Sequence, residues 1–161
     1  MYPLLILVIA IGGMFAAGGG LDMLISDPFT KYDNLFHTYS SMYSVPWRWL
    51  KAIAMNESNL GRAPSVAAGI LNPSDVTQSV SSDGKSYGLM QETIPTAQQF
   101  EHAVTAVDLN VPETSVRIAA KYFQWIMENY YTDQESIIRS YNGGHGFSDA
   151  STNAVLGSFQ K

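Results

Sequence analysis

The sequence has no cysteine, few basic residues and no charge in its first 21 positions. Without cysteine, disulfides, thiol nucleophiles and cysteine-ligated zinc are excluded. Only 9 Lys and Arg stand against 14 Asp and Glu, which gives a net charge of −5 over 161 residues. This balance argues against a nucleic-acid partner, because binding a phosphate backbone requires clustered cations. The length suits one domain of ordinary size.

The uncharged N-terminal segment predicts a membrane anchor. Between Met1 and Leu21 every position is apolar, glycine or proline, and the first basic residue is Lys31. A helix needs about 20 apolar residues to cross a bilayer, and a secretory signal would begin with a basic region. We therefore expect a transmembrane helix over 1–24 with the lipid membrane as its partner. Ala16-Ala17-Gly18 would also suit signal cleavage, and orientation is not predicted because flanking cations are absent.

Helical spacing dominates the remaining chain. An aromatic stripe predicts an amphipathic helix over 25–44, starting near Asp27-Pro28, which would connect the anchor to a domain over 45–161. Ser44-Val45-Pro46 predicts the start of a second helix. The polar stretch 61–85 is typical of a loop with at most a short hairpin.

Three further helices are predicted toward the C-terminus. One begins near Pro95 and carries Phe100 and Val104, the longest has an apolar face from Val116 to Tyr130, and the last is capped by Asp133. Strand-type alternation is scarce. The predicted fold class is therefore mostly α.

Glu57 is the leading candidate for chemistry. It continues the apolar helix face formed by Leu50, Ile53 and Ala54. A carboxylate on a buried face rarely lacks a role or a partner, and desolvation raises its pKa as a general acid requires. From spacing alone, a helix-terminal glutamate that turns to solvent stays an open alternative.

Four segments in order extend this prediction. They are Met55-Asn56-Glu57-Ser58-Asn59, Ser86-Tyr87-Gly88-Leu89-Met90-Gln91, the helix from Glu113 to Trp125, and Ser140-Tyr141-Asn142-Gly143-Gly144. Together they resemble the soluble-lytic-transglycosylase (SLT) domain family, which is related to goose-type lysozymes. The resemblance covers about 45–146 and implies a lysozyme-like helical domain.

The resemblance implies roles for individual residues. Glu57 would be the single catalytic acid/base, with Ser58 orienting it or the substrate and Tyr141 donating a hydrogen bond to it. Glycine at 88 would let the backbone approach the sugar closely. The substrate-binding residues implied are Ser58, Tyr87, Gly88, Leu89, Met90, Gln91, Tyr141 and Asn142. No cofactor and no metal are implied.

The sequence departs from the family pattern at Glu92, at Ser140 and in the length of 61–85. Glu92 and Asp83 are candidates for a second carboxylate that activates water, as an inverting hydrolase requires; Asp75 is a weaker one. A solvated loop charge is the favoured interpretation of Glu92. His145, in a glycine-rich turn, is interpreted as a surface residue.

The function implied is cleavage of the β-1,4 bond between N-acetylmuramic acid and N-acetylglucosamine in peptidoglycan, with a 1,6-anhydro product. One alternative is a goose-type-like muramidase that hydrolyses the bond through Glu92 or Asp83. Another is a membrane-anchored protein that binds peptidoglycan without cleaving it. The expected setting is a phage virion membrane or a bacterial inner membrane, with the domain facing peptidoglycan and other virion or secretion-complex proteins as partners.

Overall fold

A computed structural model describes residues 29–74 and 86–143. This part of the chain is mostly helical, as predicted, with one two-stranded antiparallel hairpin. The helices are α1 (Asp33–Tyr43), α2 (Trp47–Ser58), α3 (Pro64–Leu71), α4 (Ile94–Gln98), α5 (Ala106–Leu109), α6 (Pro112–Asn129) and α7 (Gln134–Gly143). Strands β1 (Ser86–Tyr87) and β2 (Glu92–Thr93) pair with Ser86 opposite Thr93 and Tyr87 opposite Glu92.

The core lies where α1, α2, α6 and α7 meet. Phe36 of α1, Leu50 and Ile53 of α2, and Phe123 of α6 are fully buried there. Burying each such side chain stabilises the fold by about 1.5–3 kcal/mol. The aromatic stripe of α1 therefore packs into the same core as the helices that follow it.

Two predicted helix starts are confirmed to within a few residues. α2 begins directly after Pro46, although Ser44 ends α1 rather than capping α2. The start of α6 at Pro112 was not predicted; proline's missing N–H costs no helical hydrogen bond there. Asp133 precedes α7, and its Oδ1 accepts a hydrogen bond from the Ser136 amide at 2.9 Å. Such an acceptor satisfies one of the unpaired amides of a helix start.

Two local predictions are wrong. Residues 61–85 are not all loop, since α3 occupies Pro64–Leu71. The apolar run of α3 is short, and the polar residues that follow it dominate the composition of the range. α4 ends at Gln98, so Phe100 and Val104 lie beyond it. The hairpin that the structure describes, from β1 to β2, closes around residues 88–91.

No helix in the described ranges is long and apolar enough to cross a membrane. The predicted anchor over 1–24 and the predicted helix start at Asp27-Pro28 lie outside these ranges.

Candidate active site

Glu57 lies in the last turn of α2 and opens into a cavity of about 310 Å³. The cavity is bounded by α2, the hairpin with its turn, α4, α6 and α7. Its lining residues are Glu57, Ser86, Met90, Gln91, Glu92, Thr93, Thr96, Tyr122 and Tyr141. The hairpin and three later helices, all distant from α2 in sequence, thus line the same cavity as Glu57.

The Glu57 carboxyl is half-buried. Burial raises its pKa above the ordinary value, while a hydrogen bond that Asn56 Nδ2 donates to Oε1 at 3.1 Å acts weakly in the opposite direction. A carboxyl that holds its proton closer to neutral pH is suited to protonating a leaving group. The same group, once ionised, can accept a proton back.

The end of α2 is fixed by backbone geometry and by Ser58. Asn59, Leu60 and Gly61 all have positive φ, at 53°, 54° and 73°, and the Asn59 amide closes the helix on Ala54 and Met55. The buried Ser58 hydroxyl contacts the Leu89 carbonyl at 2.6 Å and accepts from the Gly61 amide at 3.0 Å. Ser58 therefore makes no hydrogen bond to Glu57 and does not line the cavity; it ties α2 to the turn 88–91.

The turn 88–91 needs glycine for a reason other than the predicted approach to sugar. Gly88 has φ of +75°, and a Cβ there would lie 1.8 Å from the Leu109 carbonyl oxygen. The backbone of Gly88 therefore lies close to the end of α5. Gln91, with φ of 53°, folds back so that its Nε2 donates to the Gly88 carbonyl at 2.8 Å.

The residues around this turn differ in what they contact. Met90 and Gln91, both predicted to bind substrate, line the cavity, and Met90 is at the same time 1% exposed and part of the main core. Leu89 is fully buried in the main core, and Tyr87 packs against a second apolar cluster that includes Leu109. These two predicted substrate residues support the turn rather than line the cavity.

Tyr141 lies in the cavity wall without the hydrogen bond predicted for it. Its ring stacks on Phe123, with centroids 4.4 Å apart and planes 10° apart. Its buried hydroxyl has no hydrogen-bond partner among the described residues, so the expected bond to Glu57 is not formed. Burial raises the pKa of Tyr141 well above its ordinary value, and the charges of Glu92 and then Glu57 raise it further.

Glu92 is not the solvated loop charge that the sequence favoured. It is 5% exposed, and Ser115 Oγ donates to its Oε2 at 3.3 Å. The reason is that β2 pairs back against β1 and carries Glu92 under the start of α6. Burial raises the pKa of Glu92 well above its ordinary value.

Other predicted residues lie beyond what can be described. Asn142 belongs to α7, but its side chain falls outside the described part, as do Asp75, Asp83 and His145. Sequence reasoning missed five residues at or behind the cavity: Ser86, Thr93, Thr96, Ser115 and Tyr122. Ser115 and Tyr122 are seven residues apart and so share a face of α6, but their spacing does not indicate which loop they meet.

The family model for the transglycosylase SLT domain matches residues 34–155. The chain belongs to this family. The match begins within α1 and extends past α7, so the SLT domain includes every element that builds the cavity. Comparisons with curated proteins and with solved structures gave no match. Membership supports, in general terms, a lytic transglycosylase-type enzyme acting on peptidoglycan.

Proposed function

We propose that this SLT domain cleaves the β-1,4 bond between N-acetylmuramic acid and N-acetylglucosamine, using Glu57 first as acid and then as base. The observation that carries the proposal is the half-buried Glu57 carboxyl, with its raised pKa, at the mouth of a cavity walled by polar side chains. That arrangement provides one group able to both give and take a proton. It needs neither a metal nor a covalent nucleophile.

The reaction begins with proton transfer from Glu57 to the glycosidic oxygen. The bond from this oxygen to C1 of the muramic sugar breaks, and positive charge develops at C1. The substrate's own acetamido oxygen stabilises this centre. Glu57, now ionised, takes the proton of the muramic C6 hydroxyl while O6 bonds to C1, which gives the 1,6-anhydro product and returns the proton to Glu57. An intramolecular attack of this kind has a high effective molarity.

Hydrolysis is the second candidate, because Glu92 lies in the same cavity as Glu57. An inverting enzyme would need Glu92 ionised so that it could activate water. Its burial favours the neutral form instead. The environment of Glu92 therefore supports the anhydro product over hydrolysis.

Replacement of Glu57 tests the proposed acid/base directly. General acid–base catalysis contributes about 10²- to 10⁴-fold, so Glu57→Gln is expected to lower muropeptide release from purified peptidoglycan by at least ~100-fold. The matched control is Glu128→Gln, at an exposed position of α6, which should release muropeptides at the parent rate. Release by Glu57→Gln at the parent rate would overturn the assignment.

A peptidoglycan-binding protein without activity is the remaining alternative. It predicts that the parent chain is retained on peptidoglycan but releases no muropeptides. The proposed enzyme predicts release that depends on Glu57.

We also propose that residues 1–24 anchor the domain in a membrane, where it would open the cell wall locally for a phage or a secretion apparatus. The support is the uncharged apolar sequence over positions 1–21. An arginine at the centre of a membrane helix costs about 2.5–3.5 kcal/mol. Leu7→Arg should therefore move the chain from the membrane pellet toward the supernatant, whereas Leu7→Ile should stay in the pellet. Equal distribution of both variants would contradict the anchor.

A further inference from the structure

The cavity contains a second carboxyl that the acid/base chemistry of Glu57 does not use. Glu92 is 5% exposed, and its Oε2 accepts from Ser115. Its Oε1 is buried and has no hydrogen-bond partner among the described residues. A buried polar atom without a partner costs about 1–3 kcal/mol, and a polar group of a ligand bound in the cavity would remove that cost.

The groups around Glu92 leave its charge uncompensated. Facing the cavity with it are Tyr122 of α6, Tyr141 of α7, Thr96 of α4 and Glu57 of α2, and the nearby Glu101 adds a negative field. No lysine or arginine lines the cavity within the described ranges. An isolated buried carboxylate is strongly disfavoured and takes up a proton instead.

A relay of hydrogen bonds determines which oxygen of Glu92 holds that proton. The Met90 amide donates to Ser115 Oγ at 3.0 Å, and the Ser115 hydroxyl in turn donates to Glu92 Oε2 at 3.3 Å. Oε2 thus acts as an acceptor. The proton of the neutral acid falls on Oε1, the oxygen without a partner.

We propose that Glu92 is a neutral hydrogen-bond donor to the glycan, its Oε1–H binding an uncharged oxygen of the N-acetyl sugar in the cavity. The inference rests on the proposed function, since it takes the same amino-sugar chain as the ligand. It assigns Glu92 to substrate binding and removes it as a base for hydrolysis.

Two substitutions separate a neutral donor from an ionised base. In Glu92→Gln, the side-chain amide can still donate to the sugar and its oxygen can still accept from Ser115. In Glu92→Leu, a side chain of similar size offers no donor. A neutral hydrogen bond contributes about 0.5–1.5 kcal/mol, so Glu92→Leu should lower kcat/KM for peptidoglycan about 2- to 12-fold, and Glu92→Gln should recover most of that loss.

Other outcomes overturn the proposal. If Glu92→Gln loses as much activity as Glu92→Leu, an ionised carboxylate is required. If Glu92→Leu keeps the parent kcat/KM, the donor has no role in binding. Thermal unfolding checks that each variant folds, and a Glu92→Gln chain that does not fold also contradicts the proposal, because glutamine can make both contacts.

A carboxyl titration tests the donor without activity. In the full chain with ¹³C-labelled glutamate, we expect one side-chain carboxyl to stay protonated at neutral pH and to shift when a chitin oligosaccharide is added, and this signal to disappear in Glu92→Gln. A Glu92 carboxyl that is ionised at neutral pH overturns the inference. If the parent chain releases no muropeptides but this titration gives the expected result, the proposed function fails and the neutral donor stands.

Discussion

At the scale of single residues, two groups in the cavity are held without partners of their own. The Tyr141 hydroxyl and Glu92 Oε1 are both buried and unbonded among the described residues, while the Tyr141 ring is fixed by its stacking on Phe123. The fold thus orients these side chains and leaves their polar atoms without a hydrogen-bond partner among the described residues. That division is what a substrate site requires, because a donor already bonded within the protein would first have to be released.

Tyr141→Phe distinguishes the contribution of the hydroxyl from that of the ring. The stacking on Phe123 is kept and only an unpartnered buried hydroxyl is lost, so the melting temperature should not fall. If the hydroxyl bonds the glycan, kcat/KM should drop about 5- to 15-fold, the equivalent of one neutral hydrogen bond of about 1–1.5 kcal/mol. Tyr43→Phe, in α1 away from the cavity, is the matched control. An unchanged kcat/KM in Tyr141→Phe would show that the hydroxyl does not act on the substrate.

The site residues differed in how far sequence could predict them. Helical spacing places Glu57 on the face of Leu50 and Ile53, which is buried in α2, but spacing alone leaves a solvent-facing glutamate open, and the resemblance to the SLT family is what favours the catalytic role. Glu92 was misjudged because its burial depends on Ser115, 23 positions later, reaching it from α6. No local pattern encodes that contact. The hydrogen bond expected from Tyr141 to Glu57 depends on the distance between the two side chains across the cavity. The spacing of residues in the sequence does not determine that distance.

At the scale of elements, the turn 88–91 forms one wall of the cavity and is fixed by contacts with three helices. Ser58 anchors it to α2 through the Leu89 carbonyl, and Ser115 anchors it to α6 through the Met90 amide. The backbone carbonyl of Leu109, at the end of α5, lies directly against Gly88. Contacts from three helices therefore fix the turn that carries Met90 and Gln91 into the wall of the cavity that Glu57 also lines. The sequence predicts the helices and the turn, but not the way they are joined.

Gly88→Ala tests the packing of the turn 88–91 against α5. The substitution places a Cβ 1.8 Å from a backbone carbonyl, at a φ of +75° that disfavours a side chain by about 1–2 kcal/mol. We expect the free energy of unfolding to fall by more than that backbone cost alone. Gly61→Ala is the control, since its φ is +73° but its Cβ would meet side-chain atoms no closer than 3.0 Å. Denaturant titration of both variants measures the difference, and equal losses would contradict a clash at Leu109.

At the scale of the whole molecule, the apolar core is the main source of stability in the described part of the domain, and a partly exposed charged network makes a smaller contribution. Arg117 binds Glu101 through two nitrogens, at 2.8 and 2.9 Å, and Lys121 adds a third contact at 2.9 Å. The hydrogen bond from Arg117 is the main reason that the pKa of Glu101 falls to about 2. The network links the segment after α4 to the middle of α6. The cavity side of α6 carries no such cation in the described ranges.

This network predicts a specific pH dependence. A carboxyl with a lowered pKa stabilises the fold above its unfolded pKa of about 4.3, and that stability is lost as the pH falls toward about 2. Because the group is partly exposed, we expect Glu101→Gln to reduce the free energy of unfolding by only about 1 kcal/mol at neutral pH. The difference from the parent should shrink below about pH 4.3. Denaturant titrations across this range measure it, and a gap that does not narrow would contradict the network.

The separation between leader and domain also belongs to this scale. A net charge of −5 gives the chain little long-range attraction to an acidic polymer such as peptidoglycan. If residues 1–24 anchor the chain, tethering would replace that attraction by raising the local concentration of the cavity near the wall. The composition of the first 21 positions predicts such an anchor, and the Leu7→Arg fractionation tests it.

The central claim is that Glu57 completes the reaction within the sugar, without water as the nucleophile. Mass spectrometry of the products from purified peptidoglycan, digested by the full chain in isotopically labelled water, tests it most directly. Intramolecular attack by O6 predicts muropeptides that end in 1,6-anhydro-N-acetylmuramic acid and carry no label. Reducing-end products that carry labelled oxygen would contradict it and would establish hydrolysis instead.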